Sequence, residues 1–259
     1  AITLSGSGEL DNGMTVSLSY QLDEGANAAS TATSVFDDHS VTVSSDAMGT
    51  LVFAGHGGST AASSVNTTAA GDLYDLFDGA QGDLAITGNA LNESSAGNNS
   101  FFYTTPSVMD GLAIFASYSP QSGLAARSEG VIGYGLTYTG VEGLTASYGV
   151  GSNDDASGSA TNADATTISL AYAYGQVTLA YSDHEYDRNT ATDDLDVKSF
   201  KVSYTVSDAI SISYGEEEVD SGTAADQDAK YSKISASYTA GGMTVSGNMS
   251  EMENGDFST

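Results

Sequence analysis

The sequence predicts an all-β fold, a transmembrane antiparallel up-and-down β-barrel. Three observations carry this prediction: apolar and polar residues alternate along most of the chain, its connections are short and long in turn, and charges avoid the apolar face. We expect about 14 strands in one domain over residues 1–259, with the long loop at 57–99 folded into the lumen.

The first clear strand pattern lies at residues 14–22. Met14, Val16, Leu18, Tyr20 and Leu22 fall on one face, and serine, threonine and glutamine occupy the other. Because the side chains of a strand alternate between its two faces, this period of two predicts a strand with one apolar and one polar side. The same pattern recurs to the end of the chain, with serine, threonine, glycine and glutamine on the polar face throughout.

The connections between these strands alternate in length. Short turns are predicted at 11–12, 46–47, 106–110, 141–142, 175, 207–208 and 241–242, and long polar loops at 23–38, 57–99, 119–129, 151–164, 183–196 and 216–229. A soluble sandwich would mix its connections and bury its apolar face against a second sheet. A closed barrel with its apolar face toward lipid and its polar face toward water fits better, because closure leaves no unpaired edge.

Composition excludes several classes of function. The chain has 6 Lys+Arg against 34 Asp+Glu and a formal net charge of −28, so it lacks the basic surface that nucleic acids or a polybasic membrane helix require. It has no cysteine for disulfides or thiolate sites, and its three histidines lie far apart. Without a nucleophile elbow, a P-loop or a metalloprotease motif, we predict that the protein is not an enzyme.

Charge placement agrees with a barrel, because a cation on the lipid face near the midplane costs about 2–4 kcal/mol. Nearly every carboxylate falls in a predicted loop or turn, and Glu9, the only one well inside a strand, points to the polar face. Lys201 and Lys233 share this inward parity, as does His56 at the mouth of the long loop. We expect these four residues to line the lumen wall, although His56 has the alternative of a hydrogen-bonded loop residue.

The loop at 57–99 is too long for an ordinary connection, and its stretch 71–79, GDLYDLFDG, reads as a helix. Asp72, Asp75 and Asp78 are three residues apart, so a helix would place these carboxylates on one side and the leucines on the other. Irregular backbone at membrane depth is tolerated inside a water-filled cavity, so this piece can press its apolar side on the wall and turn its acids to the channel. A solvated helix on the surface is the alternative.

Two further stretches have the character of motifs. One is the strand MGTLVFAG at 48–55, followed by the long loop with GDLY at 71–74. The other is FYTTPS at 102–107, followed by GLAIFASYS at 111–119. Together they resemble the general bacterial porins, the sixteen-stranded trimeric channels of the outer membrane, and most closely their alphaproteobacterial branch.

The resemblance implies an integral outer-membrane homotrimer, in contact with lipid and lipopolysaccharide, that passes ions and small hydrophilic solutes by passive diffusion. It also implies that the long loop constricts the pore. The loop acids would then be Asp72, Asp75, Asp78, Asp83 and Glu93.

Two features depart from the family. Residues 1–10, which correspond to its second strand, carry no lysine or arginine where the family has a basic wall. Lys201 and Lys233 are the remaining inward cations for the wall opposite the loop, which favours a cation-preferring or weakly selective pore. The count of about 14 strands leaves two interpretations open, a chain without the first and last strands of sixteen, or a genuine fourteen-stranded barrel.

Calcium is the one cofactor that the sequence suggests. Asp193, Asp194 and Asp196, like Glu216–Glu218, offer oxygen ligands of the kind Ca²⁺ prefers, although solvated external loops are the simpler interpretation. The alternative function is that of a secreted, acidic, calcium-binding β protein of the adhesin or surface-layer type. Against it, the chain has no glycine-aspartate nonapeptide repeat.

Overall fold

The structure is a computed structural model that describes residues 2–22, 36–71, 73, 99–120, 128–155, 163–188, 194–222 and 227–255. These residues form fourteen β-strands and one 3-10 helix, Ala62–Ser64. Within the described ranges, no helix has the length and apolar character needed to cross a membrane.

The strands follow one another along the chain. They are β1 (Ile2–Glu9), β2 (Thr15–Leu22), β3 (Phe36–Ser45), β4 (Gly49–His56), β5 (Ser100–Thr104), β6 (Leu112–Ser119), β7 (Ser128–Tyr138), β8 (Leu144–Asp155), β9 (Ala163–Tyr174), β10 (Val177–Arg188), β11 (Leu195–Ser207), β12 (Ile210–Asp220), β13 (Ala229–Ala240) and β14 (Met243–Glu253). Each pairs antiparallel with its neighbours in sequence, and the fourteen form one sheet in the order β1 to β14. The predicted up-and-down topology is therefore confirmed.

The seven short connections all lie at one end of the sheet, here called the turn end, and the opposite end is the loop end. β13 and β14 are joined by Gly241 and Gly242, whose φ angles are 58° and 81°. A two-residue hairpin turn of this kind needs positive φ at both positions, which glycine adopts without a steric penalty. The predicted short turns are thus confirmed.

Several strands extend further toward the loop end than the sequence indicated. β10 continues to Arg188, and β12 continues to Asp220. The prediction that Glu9 is the only carboxylate well inside a strand is therefore wrong. The strands of the loop end also contain Asp183, Glu185, Asp196, Glu216, Glu217, Glu218, Glu251 and Glu253. Most of these side chains point to the outer face, nearer the loop end than the apolar band. There they can be solvated although their backbone is paired in the sheet.

The two faces of the sheet differ in what covers them. Residues 60–71 and Leu73 of the long loop lie on one face, here called the inner face. On the opposite, outer face, large apolar side chains remain open, with Ile132 at 56% exposure, Leu170 at 42% and Phe200 at 41%. A continuous apolar surface of this size is unfavourable in water, so the outer face fits contact with lipid.

Tyrosines mark both edges of this apolar surface. Near the loop end, the Tyr181 hydroxyl donates a hydrogen bond of 2.9 Å to Oδ2 of Asp183. Near the turn end, the Tyr204 hydroxyl donates one of 3.2 Å to Oε1 of Gln176. Rings that face lipid while their hydroxyls bind polar groups are typical of the two membrane interfaces.

The inner face is not polar throughout, which corrects the sequence prediction. At the loop end of β9–β13 it carries a buried apolar cluster, formed by Ala163, Ala165, Tyr186, Leu195, Val197, Val219, Ala229 and Tyr231. Ala62, Ala70 and Leu73 of the long loop belong to the same cluster. The inner face is apolar here because the loop, rather than water, covers it.

Candidate functional site

The candidate site is the part of the inner face on which the long loop lies. Residues 60–71 and Leu73, here called the wall-bound segment, run past the strands from β6 to β12 in their order in the sheet. The segment begins with a reciprocal pair of hydrogen bonds, from Thr60 N to Ser63 Oγ at 2.9 Å and from Ser63 N to Thr60 Oγ1 at 3.1 Å. These bonds satisfy backbone donors at the start of the 3-10 helix, in the manner of a capping box.

Serines of the sheet bind the backbone of this segment. Ser117 Oγ on β6 accepts a hydrogen bond of 2.8 Å from Ala61 N. Ser182 Oγ on β10 accepts one of 2.8 Å from Ala69 N and donates one of 2.9 Å to the Thr67 carbonyl. Because buried backbone groups without partners are costly, these inward serines make it possible for an irregular segment to lie on the sheet.

The last described contacts of the segment involve a carboxylate. Glu217 on β12 is fully buried, and its Oε2 accepts a hydrogen bond of 2.6 Å from Leu73 N. Ser199 Oγ on β11 accepts one of 2.7 Å from Ala70 N and donates one of 3.2 Å to Glu217 Oε1. At 2.6 Å, the hydrogen bond from Leu73 N to Glu217 is the shortest of these attachments.

Glycines provide the space in which the segment approaches the sheet. A Cβ atom at Gly149 would lie 2.8 Å from Val65 Cγ2, and one at Gly215 would lie 2.9 Å from the Ala70 Cβ. Both distances are shorter than real contacts of this kind. Gly149 and Gly215 are therefore required by close packing, a common reason for glycine inside a strand.

The predicted loop acids are not part of the description. Asp72, Asp75, Asp78, Asp83 and Glu93, together with the helix predicted at 71–79, lie outside the described residues. Leu73 is described, and it lies against the inner face with 1% of its surface exposed. Leu73 is held there by the hydrogen bond from its N–H to Glu217.

The strands β1–β3 present hydroxyl groups on the inner face. A recess of about 450 Å³ there is lined by Ser5, Gly6, Ser7, Ser17, Leu18, Ser19, Ser40 and Thr42. The register places Ser5 beside Ser19 and Ser7 beside Ser17, so the hydroxyls of neighbouring strands adjoin. None of the residues that line this recess is charged, and six of the eight carry hydroxyl groups. The absence of lysine and arginine from residues 1–10 agrees with this.

The structure brings two of the predicted wall residues together. Lys201 on β11 and Lys233 on β13 each pair with Gly215 on β12, beside the wall-bound segment. Glu9 is distant from them, at the turn end of β1 opposite Thr15. His56 ends β4 at the loop end, where its Nδ1 lies 3.1 Å from Oδ1 of the exposed Asp38.

Glu217 is an attachment for the loop that the sequence did not predict. We expected Glu216–Glu218 to form a solvated acidic cluster, because the predicted strand ended too early. Once β12 extends to Asp220, Glu217 has the parity of Gly215, whereas Glu216 has that of Tyr214. An inward carboxylate between outward ones was the signal available in the sequence.

The acids proposed for calcium are only partly described. Asp193 lies outside the described residues, Asp194 precedes β11, and Asp196 lies in β11 opposite Glu185. Among the described residues, no group of three or more histidine, aspartate or glutamate side chains is placed to hold a metal ion.

Comparison with known proteins identifies this architecture. The model of the Gram-negative porin family matches residues 1–256. Solved structures with the same fold include a porin refined at 1.8 Å, with 16% identity, a TM-score of 0.63 and coverage of 97% of this chain and 86% of that one. They also include an anion-selective porin from Comamonas acidovorans, with 18% identity, a TM-score of 0.58 and coverage of 96% and 76%. No curated protein matches the sequence.

A further structure with this fold is a mutant of the Rh. blastica porin, which shares 20% identity at a TM-score of 0.61 and is covered to 83%. The fold is thus that of the porins. This chain belongs to the Gram-negative porin family. It is an integral outer-membrane β-barrel that forms a channel, which decides against the secreted calcium-binding alternative.

Proposed function

We propose that this porin prefers cations and that the acids of the loop at 57–99 form its narrowest part. The observation that carries the proposal is the attachment of Leu73 to Glu217, at 2.6 Å between Leu73 N and Oε2. It holds the backbone next to Asp72 on the inner face, so the acidic stretch that follows has its origin inside the lumen rather than on the outer surface.

The charge of the chain supports a preference for cations. The net charge is −28, and the recess on β1–β3 contributes serine and threonine hydroxyls in place of basic side chains. Acids that line a low-dielectric channel focus the electric field and raise the local concentration of cations. With no base in this recess, β1–β3 contribute no positive side chain there to oppose the loop acids.

The quaternary structure is part of the same proposal. We infer a homotrimer because this chain belongs to the porin family, and the resemblance to that family implied an assembly of three channels. Closure of single channels in three steps, or a crosslinked trimer in the membrane, is the expected observation.

The selectivity is tested by replacing three loop acids, Asp72→Asn, Asp75→Asn and Asp78→Asn, in one variant. We expect its reversal potential in a potassium chloride gradient, measured in a planar bilayer, to move toward zero. The triple variant Asp46→Asn, Asp110→Asn and Asp208→Asn is the control, because it removes the same charge from exposed turns at the turn end.

Equal shifts in the two triple variants would show that net charge, rather than the loop, sets the selectivity. An anion-biased potential of the unmodified protein, the selectivity named for the Comamonas porin, would contradict the proposal directly.

A further inference from the structure

Lys201 and Lys233 lie on one level of the inner face with a glycine between them. The register pairs Lys201 with Gly215 between β11 and β12, and Gly215 with Lys233 between β12 and β13. Their Cα atoms are thus two strand spacings apart, about 9.6 Å. Because Ala70 packs over the intervening Gly215, the two flexible stems can bring both ammonium groups to one small ligand only beside Ala70, over the neighbouring residues of the sheet.

Hydroxyl groups line the next level toward the turn end. Ser203 on β11 pairs with Ser213 on β12, and Ser213 pairs with Ser235 on β13. These serines have the same parity as the lysines and therefore face the lumen. At the level of the lysines themselves, Ala70 packs so closely over Gly215 that a Cβ atom there would be 2.9 Å from the Ala70 Cβ. The two lysines are thus enclosed between the wall-bound segment and a row of serines.

The lysines are available for a ligand. Neither forms an ion pair with another residue in the part of the chain that the structure describes. Glu217 lies one level above them, but it is buried, and its two oxygens accept hydrogen bonds from Leu73 N and Ser199 Oγ. In contrast, the outward Lys230 pairs with Glu218 at 2.7 Å.

We propose that Lys201 and Lys233, with Ser203, Ser213 and Ser235, bind a small oxyanion such as inorganic phosphate on the lumen wall. Two ammonium groups supply charge-assisted hydrogen bonds to its oxygens, and hydroxyls supply further donors. Lysines that line a pore are a known means of binding anions in channels. The proposal rests on the proposed pore and adds to it an anion site beside the constriction.

The test compares two double variants that remove the same charge from the same two strands. Lys201→Gln with Lys233→Gln empties the proposed site, and Lys198→Gln with Lys230→Gln changes the outward lysines of β11 and β13. Binding of inorganic phosphate to the detergent-solubilised protein is measured by calorimetric titration at constant ionic strength. We expect the dissociation constant to rise by about tenfold or more in the inward variant, since hydrogen bonds to charged groups are lost, and to change less than about twofold in the outward variant.

Channel recordings on the same proteins separate this site from the function of the pore. Phosphate added to chloride solutions should reduce the single-channel current of the unmodified protein, and the inward variant should conduct without this reduction. The site is overturned if the unmodified protein binds no phosphate, or if both double variants lose binding equally. Phosphate binding without any channel activity would instead contradict the proposed function and leave the site standing.

Discussion

At the scale of single residues, the position of the constriction loop depends on groups that the sheet points inward. Glu217 is the most demanding of these, because a fully buried carboxylate is stable only when its oxygens are hydrogen-bonded. Its partners, Leu73 N and Ser199 Oγ, satisfy that requirement and at the same time fix the loop. The same hydrogen bonds therefore compensate the burial of Glu217 and hold the loop in position.

We predict that Glu217→Leu releases the loop, since it leaves the buried N–H of Leu73 without its acceptor at a cost of about 1–3 kcal/mol. Glu217→Gln keeps one carbonyl acceptor and should have a smaller effect. The measurement is the single-channel conductance and the current noise of the open state, both of which should increase. Glu216→Gln is the control, because Glu216 faces outward and accepts a hydrogen bond from Tyr214 at 2.7 Å. Normal noise in the leucine variant would contradict the role of Glu217.

Gly149 provides the second prediction at this scale. Gly149→Val would place methyl groups where Val65 now packs, and overpacking of this kind costs about 1–3 kcal/mol. We expect the wall-bound segment to shift and the conductance to change. Gly247→Val is the matched control, because a Cβ atom at this strand glycine meets nothing within 4 Å. Equal behaviour of the two valine variants would show that the segment does not pack as described.

At the scale of elements, each strand separates lipid from water by the alternation of its side chains. On β9, Ile168 faces outward at 43% exposure, and the adjacent Ser169 faces inward. Residues that are next to each other in sequence therefore face different environments, lipid on the outer face and water on the inner face. The loop end of β9–β13 adds a third environment, the buried apolar cluster beneath the wall-bound segment.

This alternation predicts opposite outcomes for one substitution at adjacent positions. Ile168→Arg should make folding into lipid vesicles less favourable by about 2–4 kcal/mol, the cost of a cation on the lipid face near the midplane. Ser169→Arg, on the inner face, should have little effect on folding. Reversible denaturant unfolding in vesicles measures both. Greater loss from Ser169→Arg would mean that the two faces are assigned incorrectly.

At the scale of the whole molecule, the large negative charge attracts cations over a distance that depends on the salt concentration. Most of the 34 acidic residues lie in the long loops and at the strand ends of the loop end, and a few lie at the turn end, while the recess on β1–β3 is lined by uncharged residues. The field in the lumen is therefore the sum of many carboxylates, some of them distant from the constriction.

Screening gives a prediction at this scale, because the Debye length is about 10 Å at 0.1 M salt and about 3 Å at 1 M. The cation preference in reversal potentials should be strong in dilute salt and weaken in concentrated salt. A preference that is unchanged between these conditions would mean that it arises from direct contact with the nearest acids alone.

The sequence by itself determined the order of the strands, their hairpin turns and the face of the residues within the predicted strands. These properties follow from the alternation of side chains along a strand and from turn residues such as Gly241 and Gly242, both of which are local. For the same reason, the inward parity of Lys201 and Lys233 could be assigned without the structure.

Only the tertiary structure decided which inward residues meet. Lys201 and Lys233 become neighbours through the register of three strands, and Glu217 becomes an attachment because a segment about 144 positions away lies on it. The apolar cluster on the inner face was not predicted, because its residues are apolar only where the loop, rather than water, covers them. Register and loop position depend on contacts between distant parts of the chain, and a periodicity read along one strand holds no information about them.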